Sequence, residues 1–358
     1  MSSSPSSSPQ PVMRPSGHAI QTVERTRGRQ IMKRLIFAGL VLLLVAVMSI
    51  GAWFSYNLNV AVGGGQSGLL TIPQNASITS IARQLREAGY IRDETVFALY
   101  VKFGPARGAL KPGPYQLKPS MNMVQIVDYL AVGKIATKTF VVRDGLTIAQ
   151  TATSYESQGL GSAQEFKDAV AAATLSPNVQ AKFGAQKTLE GFLLADTYQV
   201  VINDPASTVV QRMLTNFEAK AMPLFSKPAP NKLTPYQVLI LSSIVEKEAS
   251  RDSDRAGVAG VFYNRISQGI KLESDVTVIY LTGRIEPTAA DLAIDSPYNT
   301  RRYPGLPPGP IASPSLSSIK ATLQPTPSDY LFFIGGNDGN VYYARTYAEH
   351  NINIKNHL

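Results

Sequence analysis

Residues 234–249, TPYQVLILSSIVEKEA, read as a helix that is apolar nearly all round and ends in two carboxylates. Thr234 suits the N-cap and Pro235 the first helical position. At about 100° per residue, Glu246 shares a face with Leu239, Ser242, Ser243 and Ala249, and Glu248 falls opposite, with Leu241 and Ile244. A helix of this composition is expected to be buried, and burial favours the protonated carboxyl that a general acid requires. An equally open reading makes Glu246 one half of a buried ion pair, with Lys247, Arg251 and Arg255 as candidate partners.

Working outward to the amino end, residues 1–34 form a basic tail, rich in Ser, Pro and Arg over its first 30 positions and expected to be disordered. Residues 35–54 are a run of 20 without charge, long enough to cross about 30 Å of hydrocarbon as a helix. Arg25, Arg27, Arg29, Lys33 and Arg34 precede the run, and no charged residue follows it until Arg83. That asymmetry places the amino terminus in the cytoplasm and the body outside. A cleaved signal peptide fits less well, because both the apolar run and its leading segment are too long. The expectation is a single-pass anchor with an extracytoplasmic body.

Charge and composition remove several classes of function. Residues 1–54 hold six basic groups and one acidic group, whereas the remaining 304 residues carry 28 and 24. The basic balance therefore owes much to the anchor, and nucleic acid is not an expected partner. There is no cysteine, and the three histidines are His18, His350 and His357. Thiol chemistry and zinc–thiolate sites are excluded, and no cofactor or metal is implied. Carboxylate chemistry remains.

After a Gly-rich linker (residues 55–68), residues 71–78, TIPQNASI, lead into Ile81-Ala82 and close at Gly89. Seventy residues on, VVRDGLTI leads into Ala152 and closes at Gly159, with a weaker copy, LKPSMNM, between them. Each reads as strand, turn, Ser/Thr/Asn cap and amphipathic helix. The pattern over 69–185 resembles the LysM type of glycan-binding module. From 186 to 358 the expectation is a larger α+β domain: a strand and loop at 189–198, a helix capped by Asp204-Pro205, the Glu246 helix, another over 253–268, and a hairpin around Asn337-Asp338-Gly339-Asn340. The predicted fold class is thus α+β, with one transmembrane helix, a small LysM-like α+β module and a larger α+β catalytic domain.

LEGFLLADTY, ILSSIVEKEA, VFYNRI, LESDVTVIY, SPYNT, GLPPGPI and AEHN occur in that order. Together they resemble the MltG/YceG-like family of endolytic murein transglycosylases. The resemblance implies an inner-membrane enzyme that cleaves the MurNAc-β-1,4-GlcNAc bond of nascent peptidoglycan strands and leaves 1,6-anhydro-MurNAc ends. It implies Glu246 as the catalytic residue, glycan strands as substrate, and the cell-wall synthases as partners. Such an acid can also serve as base toward the sugar's own 6-hydroxyl, so no second carboxylate is required.

Ser242 and Ser243 are candidates to orient Glu246 or touch sugar hydroxyls, or they simply allow close helix packing. Glu190 and Asp196 would bind sugar, tune Glu246, or cap their own loop. Glu248, Asp275, Tyr298 and Asn299 complete the supporting set, and Tyr198, Tyr263 and Tyr303 offer stacking faces or core packing. The chain departs from the family pattern at Glu273 and Val276 beside Asp275, at Val341 in the final hairpin, and at the Arg143-Asp144-Gly145 turn. Two other readings compete: a non-catalytic, membrane-anchored glycan-binding protein, and a hydrolase using Glu190 or Asp275 as a second carboxylate. Ser317 to Lys320 matches the S-x-x-K spacing of penicillin-binding proteins, but without companion motifs it reads as helix surface.

Overall fold

In the computed structural model, residues 17–63, 67–106, 108 and 110–358 are described, and they divide into two compact units at Ile135/Ala136. The expected boundary at 185/186 is not where the chain divides. The expected tail 1–16 and linker positions 64–66 lie outside the described residues.

The first unit opens with helix α1 (Gly17–Asn59), which includes a segment, Arg29–Asn59, holding an 18-residue stretch of mean hydropathy 2.7, long and apolar enough to cross a membrane. The helix corrects two expectations. Residues 17–34 are helical rather than disordered, because an established apolar helix propagates readily into Gln, Arg, Met and Lys. Residues 55–59 are also helical rather than linker, since Phe54 and Leu58 pack onto the core of this unit. That core is built by β1 (Gly68–Ile72), α2 (Ile78–Glu87), α3 (Glu94–Phe103), β2 (Gly113–Leu117) and α4 (Met123–Val132). β1 and β2 pair antiparallel, with Leu70 opposite Tyr115.

The second unit repeats this plan: β3 (Thr137–Val141), α5 (Ile148–Ser157), α6 (Ala163–Ala172), α7 (Pro177–Phe183) and β4 (Thr197–Val201). β3 and β4 also pair antiparallel, Phe140 opposite Tyr198. All three sequence copies begin as expected, with Ser77, Asn122 and Thr147 each accepting a hydrogen bond from the third backbone amide of its helix. Yet the repeating object is strand–helix–helix–strand, with an additional short helix in the second unit. The middle copy starts on β2, the closing strand of the first motif.

The second unit continues with α8 (Ala206–Lys220), α9 (Pro235–Glu248), α10 (Asp252–Ser267), α11 (Val276–Thr282), α12 (Ala289–Leu292), α13 (Leu316–Leu323), the hairpin β5 (Phe332–Gly335) and β6 (Val341–Ala344), and α14 (Tyr347–His357). Asp204 does not cap α8. Pro205 holds that position without a side-chain bond, and Asp204 pairs with Arg212 at 2.9 Å. α9 begins as expected, Thr234 and Gln237 forming a reciprocal capping box with Pro235 in the first turn.

Every residue of α9 from Val238 to Val245 is buried, because the helix stands between two cores. Val238 and Leu239 join β3, β4 and α5–α8. Leu241, Ile244 and Val245 join α10, Leu272 and Ile311. An all-round apolar sequence is the consequence of having no solvent face along most of its length.

The turn before α9's outer core holds one backbone that only glycine tolerates. Gly191 has φ +87°, and a Cβ there would stand 2.8 Å from Pro310 Cβ and Cγ. Gly191→Ala is expected to cost about 2–3 kcal/mol through backbone strain and overpacking. Calorimetry should show the midpoint falling by several degrees; an unchanged midpoint would contradict this packing.

Candidate functional site

Glu246 lies on the last turn of α9 with its side chain only 6% exposed. Its Oε1 accepts from Arg255 Nη2 at 2.9 Å. Its Oε2 accepts from the Ser315 amide at 2.9 Å and from Ser315 Oγ at 2.6 Å. Three elements make this clamp: α9 supplies the carboxylate, the first turn of α10 the guanidinium, and the N-cap of α13 the serine. Ser315 Oγ also accepts from Arg255 Nη1 at 2.6 Å and from the Ser318 amide at 3.1 Å. Arg255 Nη1 further meets Asp252 Oδ1 at 2.9 Å. Of the three cations considered for an ion pair, the structure selects Arg255. Lys247 donates to the Gly145 carbonyl at 3.3 Å, and Arg251 binds Asp254 at 2.9 Å.

The Arg143-Asp144-Gly145 turn closes over Glu246. A Cβ at Gly145 would lie 3.4 Å from Glu246 Cγ, so this turn runs close beside the Glu246 side chain. Gly145 and Leu146 are stitched to the strand leading to Ser315 by Gly145 N to Ser313 O and Ser313 N to Leu146 O, each 2.9 Å. Burial, and next the negative charge of Glu246, push the Asp144 carboxyl above its ordinary value, with Arg255 opposing. Asp144 is therefore a second carboxyl within electrostatic reach of Glu246.

The structure disperses the other expected residues. Ser242 and Ser243 are fully buried; Ser242 Oγ donates to Val238 O, and Ser243 Oγ donates to Ile240 O and accepts from the Ile311 amide. They hold helix packing and do not orient Glu246, because hydroxyls in an apolar helix satisfy themselves on its carbonyls. Asn299, also fully buried, donates from Nδ2 to Leu292 O and Ile294 O and is a loop staple rather than a groove lining.

Glu248, on the far side of α9, accepts from Ser274 Oγ at 2.5 Å. Its pKa is raised by burial, which outweighs the Ser274 bond, and the neighbouring Asp275 charge adds to the rise. Asp275 itself begins α11 and pairs with Arg301 at 2.6 Å. For Asp196, burial acts to raise the pKa, but Lys220, Asn216 and the Thr197 amide hold it below the usual range. Glu273 takes a left-handed backbone, φ +55°, and its half-exposed carboxylate is matched by Arg265 at 2.9 Å. Val341 is the first residue of β6, opposite Gly335. Among the tyrosines, Tyr198 and Tyr263 are core, and Tyr303, 41% exposed, bonds Asp295.

Glu190 forms a second centre. It is 4% exposed, and both its oxygens accept from the Ile148 amide, at 3.1 and 3.2 Å, at the start of α5. Burial raises its pKa to about 7, against the opposing pull of the Ile148 and Gly191 amides and the Tyr280 hydroxyl. Tyr280 and Tyr298 stand with ring centroids 5.3 Å apart, and Glu190's charge acts on both. Glu190 and Tyr280 line a cavity of about 810 Å³ whose wall also includes Lys247, the residue after Glu246.

The fold binds the Glu190 proton more tightly than the unfolded chain does, so ionisation opposes folding. This group's contribution is full below about pH 4.5 and is lost as pH rises through about 7. The difference is on the order of 3 kcal/mol. Thermal midpoints measured from pH 4.5 to 8 should decline more steeply in the wild type than in Glu190→Gln. Parallel profiles would refute the assignment.

Sequence reasoning missed Ser315 and Asp144 as site residues and knew Arg255 only as one of three pairing options. Ser315 carried a signal as the cap of a short helix. Nothing local, however, reveals that its hydroxyl also serves a carboxylate 69 positions away.

Comparison with known proteins places these features in a wider group. A model of the YceG-like family matches residues 70–356. A protein of Streptococcus pneumoniae named endolytic murein transglycosylase is 29% identical over 88% of this chain. The chain spans 64% of the length of that relative. A Bacillus subtilis protein of the same name is 31% identical, with 79% of this chain and 82% of that protein covered. The crystal structure of a yceG-like protein from Listeria monocytogenes superposes with a TM-score of 0.53 at 32% identity, covering 81% of this chain and 99% of that one.

Proposed function

The chain belongs to the YceG-like family, and from that premise we propose that it is a membrane-anchored endolytic lytic transglycosylase acting on peptidoglycan. The bond cleaved is MurNAc-β-1,4-GlcNAc within nascent strands, and Glu246 is the acid and then the base. The observation that carries the reading is the clamp on Glu246: one carboxylate whose Oε1 faces a guanidinium and whose Oε2 faces an amide and a hydroxyl.

Those donors are aimed at the charge Glu246 acquires when its proton passes to the glycosidic oxygen, and they lower the cost of that step. The leaving GlcNAc departs as an alcohol, and the MurNAc ring carries oxocarbenium character at C1. The Glu246 carboxylate then takes the proton of the MurNAc 6-hydroxyl as its oxygen bonds to C1. Acid is regenerated, water is not consumed, and a 1,6-anhydro end results. Asp144, raised partly by Glu246 itself, is placed to respond to each change in that charge.

The apolar helix is read as a single span in the inner membrane, amino terminus cytoplasmic, both units periplasmic. The strand–helix–helix–strand motif of the first unit, with its counterpart at the start of the second, is read as the LysM-like glycan-binding part. Cell-wall synthases are the partners that the family resemblance suggests.

A second reading has its own support. Glu246 is ion-paired and almost closed to solvent, which suits a glycan-binding protein without catalysis. Mass spectrometry of uncross-linked strands incubated with the full chain separates the two. Internal fragments ending in 1,6-anhydro-MurNAc support the transglycosylase. Reducing ends would replace it with a hydrolase drawing on a second carboxyl such as Glu190. Intact strands that nevertheless bind would leave the glycan-binding reading.

A further inference from the structure

The cavity lined by Glu190, Tyr280 and Lys247 is richer in cations than in acids. It holds about 810 Å³, within the range of pockets that enclose small ligands. Lys167, Lys247 and Arg284 stand on its wall. The Lys167 side chain makes no hydrogen bond or ion pair among the described residues. Lys247 is committed only to the Gly145 carbonyl, and Arg284 meets Asp291 at 3.3 Å while remaining largely exposed. The acidic residue in the lining is Glu190, whose two oxygens are both taken by the Ile148 amide.

Beside the neutral hydrogen-bonding groups of Thr147, Gln150 and Tyr280, this wall presents three cations. It is also partly apolar: Val276 and Ile279 line it, and Ile285 on its rim is 90% exposed. A ligand that suits it carries carboxylates and small apolar side chains together. In an uncross-linked peptidoglycan strand, that chemistry belongs to the short acidic peptide borne by the lactyl group of MurNAc. Lys247 and Glu246 both border Gly145, where a Cβ would stand 3.5 Å from Lys247 Cδ and 3.4 Å from Glu246 Cγ, so the cavity lies near the presumed point of cleavage.

We propose that this cavity binds the acidic stem peptide of the muramyl residue, with Lys167 and Arg284 receiving its carboxylates and Ile285 covering its alanyl methyl groups. The proposal rests on the peptidoglycan reading and deepens it: the enzyme selects strands that still carry peptides. Position along the glycan is then read from the peptide as well as from the sugar.

Muramyl tripeptide has no glycosidic bond to cleave, so its binding can be measured apart from catalysis. Calorimetric titration would use the full chain in detergent micelles, with muramyl tripeptide and with the same compound amidated at its carboxyl groups. The wild type is expected to bind the free acid at least tenfold more tightly than the amide. Lys167→Ala/Arg284→Ala should lose that preference, and Ile285→Asp should weaken binding of the free acid, both with unchanged thermal midpoints. Equal affinity for acid and amide, no binding by the wild type, or wild-type affinity in the variants would overturn the proposal. If strands are not cleaved but the titration succeeds, the transglycosylase reading fails and the peptide site stands.

Discussion

Glu246→Gln should reduce cleavage of uncross-linked strands by on the order of 10³-fold, the scale of a lost general acid–base. The substitution keeps the shape of the side chain and lets its carbonyl oxygen accept from Ser315, whose amide and hydroxyl both face Glu246 Oε2. Arg255 keeps Asp252 and Ser315 as partners. The fold should therefore survive, and the loss should appear in turnover rather than in binding of the strand. Product mass spectrometry beside a sedimentation assay for strand binding tests both halves. Undiminished anhydro products from the variant would remove Glu246 from the chemistry.

Arg255→Met is expected to produce the largest loss of stability. Both side chains of the pair are under one-tenth exposed, Arg255 at 9% and Glu246 at 6%. Removing the cation leaves a buried carboxylate with only Ser315 to receive its charge, a change that costs about 3–5 kcal/mol. For a unit of this size, the thermal midpoint should fall on the order of 10 °C. Glu246→Gln/Arg255→Met should regain most of the loss, since no uncompensated charge remains. Calorimetry of the four proteins in the cycle decides it: simple addition of the single losses would mean the pair does not act as a unit.

The legible parts of this chain were those written in local spacing. An all-round apolar α9 predicted burial, and the helix stands between two cores. Ser77, Asn122 and Thr147 announced three helix starts, and each caps one. Asn337–Asn340 marked the hairpin turn between β5 and β6. What stayed hidden depends on long-range partners. β3 pairs with β4 across an intervening segment that holds three helices, and strand periodicity says nothing about which edge will be met. The division at Ile135/Ala136 was misplaced for that reason.

At the site, helical geometry put Ser242, Ser243 and Glu246 on one face, yet the serines turned inward to carbonyls of their own helix. The choice of Arg255 over Lys247 and Arg251 was set by tertiary packing, which brings the first turn of α10 against the end of α9. Gly145 could be seen only as a turn residue, although it runs close beside the Glu246 side chain.

The end of α1 is a joint rather than a tether. Phe54 and Leu58 are packed into the first unit, and Arg92 grips the carbonyls of Val60 and Ala61 at 2.6 Å each while lying over the Tyr56 ring. Asn122 reaches the Asn59 carbonyl at 3.3 Å. For an anchored protein this sets the geometry of patrol. If α1 spans a bilayer, the first unit cannot swing freely on a slack leash, because helix and unit move as one body. Drift of such a helix in the plane of a membrane would then carry the first unit with it as a stylus is carried on an arm.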